Sequence, residues 1–313
     1  MKPRKPLVTL AWSFGLFLLM HTTTYAGILM AALLSGYSFE SIISGQVTNH
    51  LTILGQGVTA GTLGVLGVFL VTRYLWRRPW EWLRLRFDLR LLVSGFVLGI
   101  GMTIVTLLAI NLFGDTRIIA RPDRFEAVEL ASILIGSFGW VAFTAILEEV
   151  VFRGMAVREW ALRWGWPIAS VLGGVYFGAA HIIGLLPDIS VIETLWIILA
   201  GIVGNLMFVA LYVRSRSLWL PIGYHLGWNL CLKTIVGAVM SGRESSDGLF
   251  ATEISGPVLM TGGKFGIEAS VIALALSLVL SVMVLKGIRS PGTGMLSATP
   301  EKNHETTIVG EGT

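Results

Sequence analysis

Long runs of apolar residues dominate this chain, and short polar segments separate them. Most runs reach the roughly 20 residues that an α-helix needs to cross the hydrocarbon core of a bilayer. The pattern predicts an all-α, polytopic transmembrane helix bundle with about eight spans. The predicted spans are 7–34, 51–72, 91–113, 130–157, 166–186, 191–213, 218–240 and 267–286.

The composition agrees with a lipid environment. Hydrophobic residues make up 54% of the 313 residues, and charged residues only 13%. A soluble domain of this length cannot bury so much apolar surface in one core, whereas outward-facing aliphatic side chains in a bilayer need no burial. Glycine pairs at four-residue spacing, Gly95 with Gly99 and Gly174 with Gly178, are typical of closely packed transmembrane helices. The only cysteine, Cys231, excludes an intramolecular disulfide.

Basic residues set the predicted orientation. Arg and Lys precede the first predicted span, follow the second, fourth, sixth and last, and are absent from 35–50. Under the positive-inside rule this alternation places both termini in the cytoplasm. The connection 114–127 is an exception, because it carries three arginines on the predicted outer side. We expect residues 1–288 to form the bundle and the polar tail 289–313 to be disordered.

The remaining surface features indicate a membrane and no nucleic acid. The net charge of +4 is modest, and no basic stripe interleaved with aromatic residues suggests nucleic-acid binding. We expect the protein to reside in the cell (plasma) membrane. Residues 80–90 mix aromatic, apolar and basic residues, as a segment lying on the inner membrane face would. Six tryptophans are predicted interface anchors: Trp76, Trp80, Trp82, Trp160, Trp164 and Trp166.

Two carboxylates and one arginine lie inside the fourth predicted span. A charge at membrane depth costs about 3 kcal/mol or more, so such residues are functional candidates. Glu149 and Arg153 are four residues apart, share a helix face and can neutralise each other. Glu148 points about 100° away from Glu149 on the helical wheel and can face a cavity. The spacing therefore predicts one structural carboxylate and one chemical carboxylate.

Histidines and an amide are the other candidates at membrane depth. His181 lies in the fifth predicted span, and His225 and Asn229 lie one helical turn apart in the seventh. His21 and Asn205 are solitary, and we assign both to helix packing.

These side chains suit the hydrolysis of a peptide bond. A carboxylate in an apolar cavity is a better general base toward water, and an imidazole can orient that water or protonate the leaving amine. A second imidazole with an amide can stabilise the oxyanion that forms when water attacks a carbonyl. Glu148, His181, His225 and Asn229 supply these parts. One carboxylate and two imidazoles could equally hold a zinc ion, and the residues themselves do not choose between the two.

Three ordered motifs resemble those of the CPBP intramembrane proteases. This family includes the type II CAAX prenyl endopeptidases and the bacteriocin-processing or immunity (Abi) homologues. Its pattern is Glu-Glu-x-x-x-Arg, then Phe-x-x-x-His, then His-x-x-x-Asn or Asp. The matching residues lie on three predicted spans within a protease core of about 130–240. They are Glu148, Glu149 and Arg153, then Phe177 and His181, then His225 and Asn229.

The resemblance implies a role for each residue. Glu148 would activate water with help from His181, His225 and Asn229 would form the oxyanion site, and Glu149 and Arg153 would support them. The family has been described both as metallopeptidases and as metal-independent glutamate peptidases. We favour the metal-free form, with zinc held by Glu148, His181 and His225 as the alternative. The substrate would be a membrane-associated peptide or protein.

Two other classes of function remain as alternatives. Buried Glu, His and Arg also build the proton relays of coupled transporters, although no repeated halves with matching broken helices are evident in the sequence. A catalytically silent membrane scaffold or immunity factor could also keep the motif residues.

Overall fold

The fold is a bundle of helices joined at one end by a small sheet. In this computed structural model the described residues are 4–16, 65–186, 188–243 and 248–286, with a few single positions between 18 and 63. The main helices are α1 Pro6–Leu16, α2 Val65–Leu75, α3 Leu89–Ile110, α4 Ala127–Glu148, α5 Arg158–Ile182, α6 Val191–Ser215, α7 Trp219–Asn229, α8 Val258–Thr261 and α9 Val271–Leu285. The last five residues of α2, Val71–Leu75, are π-helical. Short 3₁₀-helices cover Trp80–Leu83, Pro122–Phe125, Ile183–Leu185, Gly263–Phe265 and Ile267–Ala269.

Three helical stretches among the described residues are long and apolar enough to cross a membrane. They are Leu89–Ile110, Ala127–Ile182 and Val191–Ser215, and α1, α2 and α9 are shorter apolar helices. The helical, membrane-spanning character predicted from the sequence is therefore confirmed. The count of eight spans and the cytoplasmic termini stay predictions. Much of the first two predicted spans, His21 and the tail 289–313 lie outside the described residues.

Side-chain caps set where several helices begin. The Asp88 carboxylate accepts a hydrogen bond from the Leu91 amide at the start of α3. Ser190 and Glu193 form a reciprocal capping box at the start of α6. Ser270 caps α9 by accepting from the Ala273 amide. Such caps satisfy amide groups that the first turn of a helix leaves without an intrahelical partner.

The stretch from α4 to α5 is helical throughout except at one glycine. After Glu148 the chain continues as a π-helix over Glu149–Val157 and then as α5. Gly165 has φ 77° and ψ 167°, which breaks the helix and starts a second helical piece that contains Pro167 at its first turn. The break falls between the fourth and fifth predicted spans, where the sequence predicts a connection.

Two connections predicted as loops pair as strands. β1 Asp115–Ala120 and β2 Phe250–Ser255 form a two-stranded antiparallel sheet, so the all-α prediction needs this one addition. Arg117 lies opposite Glu253 in the register and forms an ion pair with Asp115 at 2.8 Å. This neighbouring charge accounts for an arginine in the connection 114–127. The pairing joins segments more than 100 residues apart, which local sequence patterns do not report.

The predicted tryptophan anchors are wrong in most cases. Four of the six side chains lie in the protein core with exposed fractions of 7% or less, namely Trp76, Trp82, Trp160 and Trp166. Within the segment 80–90, residues 82–84 are buried in the bundle, with Trp82 and Leu83 fully buried, and residues 86–90 are exposed. The Arg158 guanidinium lies 3.9 Å from the Trp82 ring centroid and also donates to the Trp82 carbonyl. Aromatic residues beside arginines therefore reflect contacts within the protein here.

Glycines set the closest helix contacts of the bundle. α3 and α7 run parallel, and a Cβ atom at Gly95 or Gly99 would overlap backbone oxygens of α7. The reverse also holds, because a Cβ atom at Gly223 or Gly227 would overlap backbone oxygens of α3. α5 and α6 are antiparallel and meet in the same way at Gly174, Gly178 and Gly201. The packing role predicted for the glycine pairs at 95/99 and 174/178 agrees with these contacts.

Candidate active site

The two adjacent carboxylates lie where a regular helix changes its hydrogen-bonding pattern. Glu148 is the last residue of α4, and Glu149 begins the π-helix that runs to Val157. All nine residues of this π-helix are buried. One turn earlier, Val141 and Ala145 of α4 pack against Leu226 of α7. This contact brings the end of α4 beside the histidine of α7. π-Helical turns are rare and frequently occur at functional sites.

Glu149 and Arg153 form a fully buried ion pair. The Arg153 Nη1 lies 2.8 Å from the Glu149 Oε1, and both side chains are completely inaccessible to solvent. The Arg153 guanidinium also lies 4.5 Å from the ring centroid of Phe177 and 4.2 Å from that of Phe208. Aromatic faces attract a cation, and the attraction is strongest where water is absent. The arginine is therefore held between one carboxylate and two rings.

His225 contacts both carboxylates through its two ring nitrogens. Its Nδ1 lies 2.9 Å from the Glu149 Oε1, and its Nε2 lies 3.8 Å from the Glu148 Oε2. A carboxylate can only accept, so Nδ1 carries the proton and donates it to Glu149. This contact fixes the ring and directs Nε2 toward Glu148. The Glu148 side chain is 12% exposed and the His225 side chain 8% exposed, so both lie inside the protein.

His181 has a different environment. Its Nδ1 lies 2.8 Å from the Phe177 carbonyl oxygen, so Nδ1 donates there and Nε2 is left as an acceptor. Its ring packs on Phe177 at 4.5 Å and faces Phe265 at 6.1 Å between centroids. The described residues include no hydrogen bond or ion pair between His181 and Glu148. Phe177 connects His181 to the cluster, because its ring packs against His181 and also lies over the Arg153 guanidinium.

Asn229 lies on α7 one turn after His225 and is buried, with an exposed fraction of 6%. Its side-chain amide makes no hydrogen bond within the part of the chain that the structure describes. The chain then enters a further π-helix, Leu230–Val236. Cys231 in that segment is buried and free. The amide required at an oxyanion site is present on the helix of His225.

The candidate zinc ligands do not assemble. Among the described residues, no three His, Cys, Asp or Glu side chains group closely enough to hold a metal ion. Glu148 and His225 approach each other, whereas the described contacts of His181 are with Phe177 and Phe265. These residues as placed therefore do not fit a zinc site with three protein ligands.

One cavity of about 520 Å³ lies beside α4 and is apolar. Its walls are Leu134, Ile135, Phe138, Gly139, Ala142, Phe143, Ile146 and Leu230. These residues lie on a different face of α4 from Glu148. Glu148 shares its face with Val141 and Ala145, which pack against α7. It is not the water-accessible cavity expected at the carboxylate.

Sequence reasoning did not find the contact between His225 and Glu149, nor the part played by Phe208. The Phe208 ring lies over Arg153 and 5.2 Å from the His225 ring, between centroids. Phe208 is one apolar residue among many in the sixth predicted span, so no local signal marks it. Asn205 donates to the Ser170 carbonyl at 2.6 Å between α6 and α5, in agreement with the packing role predicted for it.

In a comparison with models of protein families, residues 130–231 match the family described as type II CAAX prenyl endopeptidase Rce1-like. We call these residues, which are similar to that family, the Rce1-like segment. This match confirms the resemblance drawn from the three motifs. The Rce1-like segment covers less than half of the chain, yet it contains both carboxylates, Arg153, both histidines and Asn229. Comparisons with curated proteins and with solved structures found no match.

The match of residues 130–231 and the apolar helices support an integral membrane protein that is similar to a family of proteases. Within the Rce1-like segment the structure brings together Glu148, Glu149, Arg153 and His225 by direct contacts. His181 lies one aromatic ring away from them. The helix α3, which packs against the back of α7, lies outside the Rce1-like segment.

Proposed function

We propose that this protein is an intramembrane endopeptidase in which Glu148 activates a water molecule for attack on a peptide bond. The observation that carries the proposal is the placement of His225 between Glu148 and Glu149. A purely structural ion pair needs only Glu149 and Arg153. A second carboxylate, slightly exposed and facing a fixed imidazole, is the arrangement that general base catalysis needs.

In the proposed reaction the Glu148 carboxylate accepts one proton from water as the water oxygen bonds to the peptide carbonyl carbon. The carbonyl π electrons move to its oxygen, which becomes an oxyanion. The carbon–nitrogen bond then breaks, and the leaving nitrogen takes up the proton that Glu148 had accepted. The products are a carboxylic acid and an amine, which exchange a proton to become a carboxylate and an ammonium group, and Glu148 returns to its starting state.

His225 and Asn229 are proposed to stabilise the oxyanion. Because Nδ1 donates to Glu149, Nε2 can donate to an oxyanion only when the ring carries both protons. The imidazolium and Arg153 would then supply two positive charges beside the two negative charges of Glu148 and Glu149. The four groups would be balanced as a set, which is what a charged cluster in an apolar interior requires. Asn229 would add a neutral donor from the same helix.

His181 is proposed to assist at the leaving group. With its Nδ1 proton held by the Phe177 carbonyl, Nε2 is free to accept or return a proton. We favour the metal-free form of the reaction, because the donor set does not assemble around a zinc ion. The substrate would be a membrane-associated peptide or protein, and the cell (plasma) membrane is the proposed location.

Cleavage of bilayer-anchored peptides by the reconstituted protein tests this function. The probe is a set of such peptides, each made with and without a farnesylated C-terminal cysteine, because the sequence does not specify prenylation. Glu148→Gln should abolish cleavage while thermal unfolding stays unchanged. Glu253→Gln, a change of the same kind at an exposed strand position, is the matched control and should cleave normally.

The same preparation separates the alternative functions. A proton-coupled transporter would acidify or alkalinise proteoliposomes in a Glu148-dependent way without cutting any peptide. A silent scaffold would do neither. Cleavage that survives Glu148→Gln would contradict the proposed role of Glu148, and cleavage that persists after exhaustive chelation would support the metal-free form.

A further inference from the structure

Arginines crowd one end of the bundle, away from the candidate active site. Arg84 and Arg158 are buried with exposed fractions of 8% and 0%, and Arg216 is exposed beside them. We call these three residues the arginine cluster. The Leu218 amide donates to the Arg84 carbonyl at 3.2 Å, and the Trp219 indole donates to the Leu85 carbonyl at 3.1 Å. These bonds hold the segment that carries Arg84 against the turn that carries Arg216.

The cluster is surrounded by further positive charge. Arg86, Arg90 and Arg214 are exposed in the same two chain segments, and Asp88 is the one exposed carboxylate among residues 84–90 and 212–219. The Asp88 side chain caps α3. Burial lowers the pKa of Arg84, and the neighbouring charge of Arg158 lowers it further. Positive charges packed this closely repel one another, which favours the binding of an anion.

Backbone conformation adds a second cost at the same place. Arg84 and Arg216 have φ of 55°, a left-handed conformation that favours glycine. Arg216 is the C-cap of α6, where glycine or asparagine is the usual residue. Backbone strain in a non-glycine residue persists where the surrounding structure or a ligand makes use of the side chain.

The position of the arginine cluster in the fold indicates the kind of ligand that would bind there. It lies between the start of α3 at Leu89 and the end of α6 at Ser215, and both helices are long and apolar enough to span a membrane. Helix ends of this kind lie at the level of the lipid headgroups. Exposed Phe87 packs edge-on against Trp219 beside the cluster, as aromatic residues do at that level.

From these observations we infer that the arginine cluster binds the phosphate group of an anionic phospholipid. The guanidinium of Arg216 would contact the phosphate directly, and Arg84 beneath it would add charge. Arginine suits this role because its planar donors match phosphate oxygens. The inference does not depend on the proposed peptidase activity.

Thermal unfolding of the detergent-solubilised protein with added lipid tests the inference. Dioleoylphosphatidylglycerol should raise the unfolding temperature in a saturable way, and dioleoylphosphatidylcholine, which has the same chains, should not. Each of Arg84→Gln and Arg216→Gln should weaken the apparent affinity for the anionic lipid about fivefold. Arg117→Gln, an exposed arginine of β1, is the matched control and should leave the affinity unchanged.

A second variant separates lipid binding from structural damage. Arg216→Gly relieves the left-handed backbone, so it should unfold at a higher temperature than the wild type without lipid, yet gain less from phosphatidylglycerol. Equal stabilisation by phosphatidylcholine would overturn the inference. Full stabilisation by glycerol phosphate alone would overturn the lipid assignment, because a soluble anion would then suffice. An undiminished response of Arg216→Gly would remove Arg216 from the site.

Discussion

The two histidines of the candidate site are held in the bundle by similar means but have different surroundings. Both lie on helices that pack closely through glycines, α5 for His181 and α7 for His225. His225 is fixed by a carboxylate and directed at a second one, whereas His181 is fixed by a backbone carbonyl and two aromatic rings. Each histidine belongs to a motif with a four-residue spacing, yet the two histidines have different partners. A shared spacing in the sequence therefore does not imply a shared role. Ionic contacts should couple His225 strongly to stability, whereas His181 should contribute less to stability than to activity.

Breaking the buried ion pair should have the largest effect. Arg153→Met leaves Glu149 buried with only the His225 hydrogen bond, and we expect a loss of about 3–5 kcal/mol in the free energy of unfolding. Adding Glu149→Leu should recover part of that loss, because no unbalanced charge then remains. Thermal and denaturant unfolding of both variants would measure this. A stable Arg153→Met protein would show that the ion pair does not hold the site together.

Separating α3 from α7 should come next. A Cβ atom at Gly99 would overlap the Tyr224 carbonyl oxygen, one residue before His225. Gly99→Ala should cost about 1–3 kcal/mol through overpacking and reduce cleavage by displacing His225. Gly101→Ala on the same helix is the control, because nothing lies within 4 Å of its added Cβ atom, and no loss is expected. Equal behaviour of the two variants would contradict the close approach of α3 and α7.

The histidines themselves give the direct comparison. His225→Gln should lose cleavage and about 1.5–3 kcal/mol of stability, because the hydrogen bond to a charged carboxylate is disrupted. His181→Gln should also lose cleavage but only about 0.5–1.5 kcal/mol, the contribution of an ordinary hydrogen bond. Measuring unfolding and cleavage on the same preparations tests the difference. Equal losses in the free energy of unfolding for the two variants would contradict the proposed difference between the two histidines.

The smallest effect is expected at Phe177, the ring between His181 and Arg153. Phe177→Leu keeps an apolar side chain but removes the aromatic face over the guanidinium, at a cost of about 1 kcal/mol. Cleavage should fall in step with the His181 variant, because the ring supports that histidine. Phe138→Leu, on the half-exposed side of α4, is the control and should change neither property.

The sequence predicted the parts of this site that depend on spacing along one helix. The pairing of Glu149 with Arg153 and the placement of His225 with Asn229 on one helix follow from four-residue intervals. The sequence did not predict the contacts between helices, which include the hydrogen bond from His225 to Glu149 and the aromatic rings over Arg153. The prediction that the tryptophans are interface anchors was wrong for a related reason. A tryptophan near arginines is equally typical of a membrane interface and of a cation–π contact within the protein.

The fold likewise divides into local features that the sequence predicted and contacts between segments that it did not. Long apolar runs predicted helices because hydrophobicity is a local property, and the break at Gly165 falls where a connection was expected. The π-helix over Glu149–Val157 and the sheet between β1 and β2 were not predicted. The first depends on how α4 and α5 are held by their neighbours, and the second joins distant segments.

The π-helix has a consequence for how this region can tolerate changes in length. A wider turn accommodates one more residue than an ordinary turn between the same two ends. Deleting a single residue between Val150 and Phe152 would let the backbone revert to α-helix, and the arginine, then three residues after Glu149, would stay on the same helix face as its carboxylate partner. This stretch should therefore tolerate the loss of one residue better than an ordinary α-helix of the same length would.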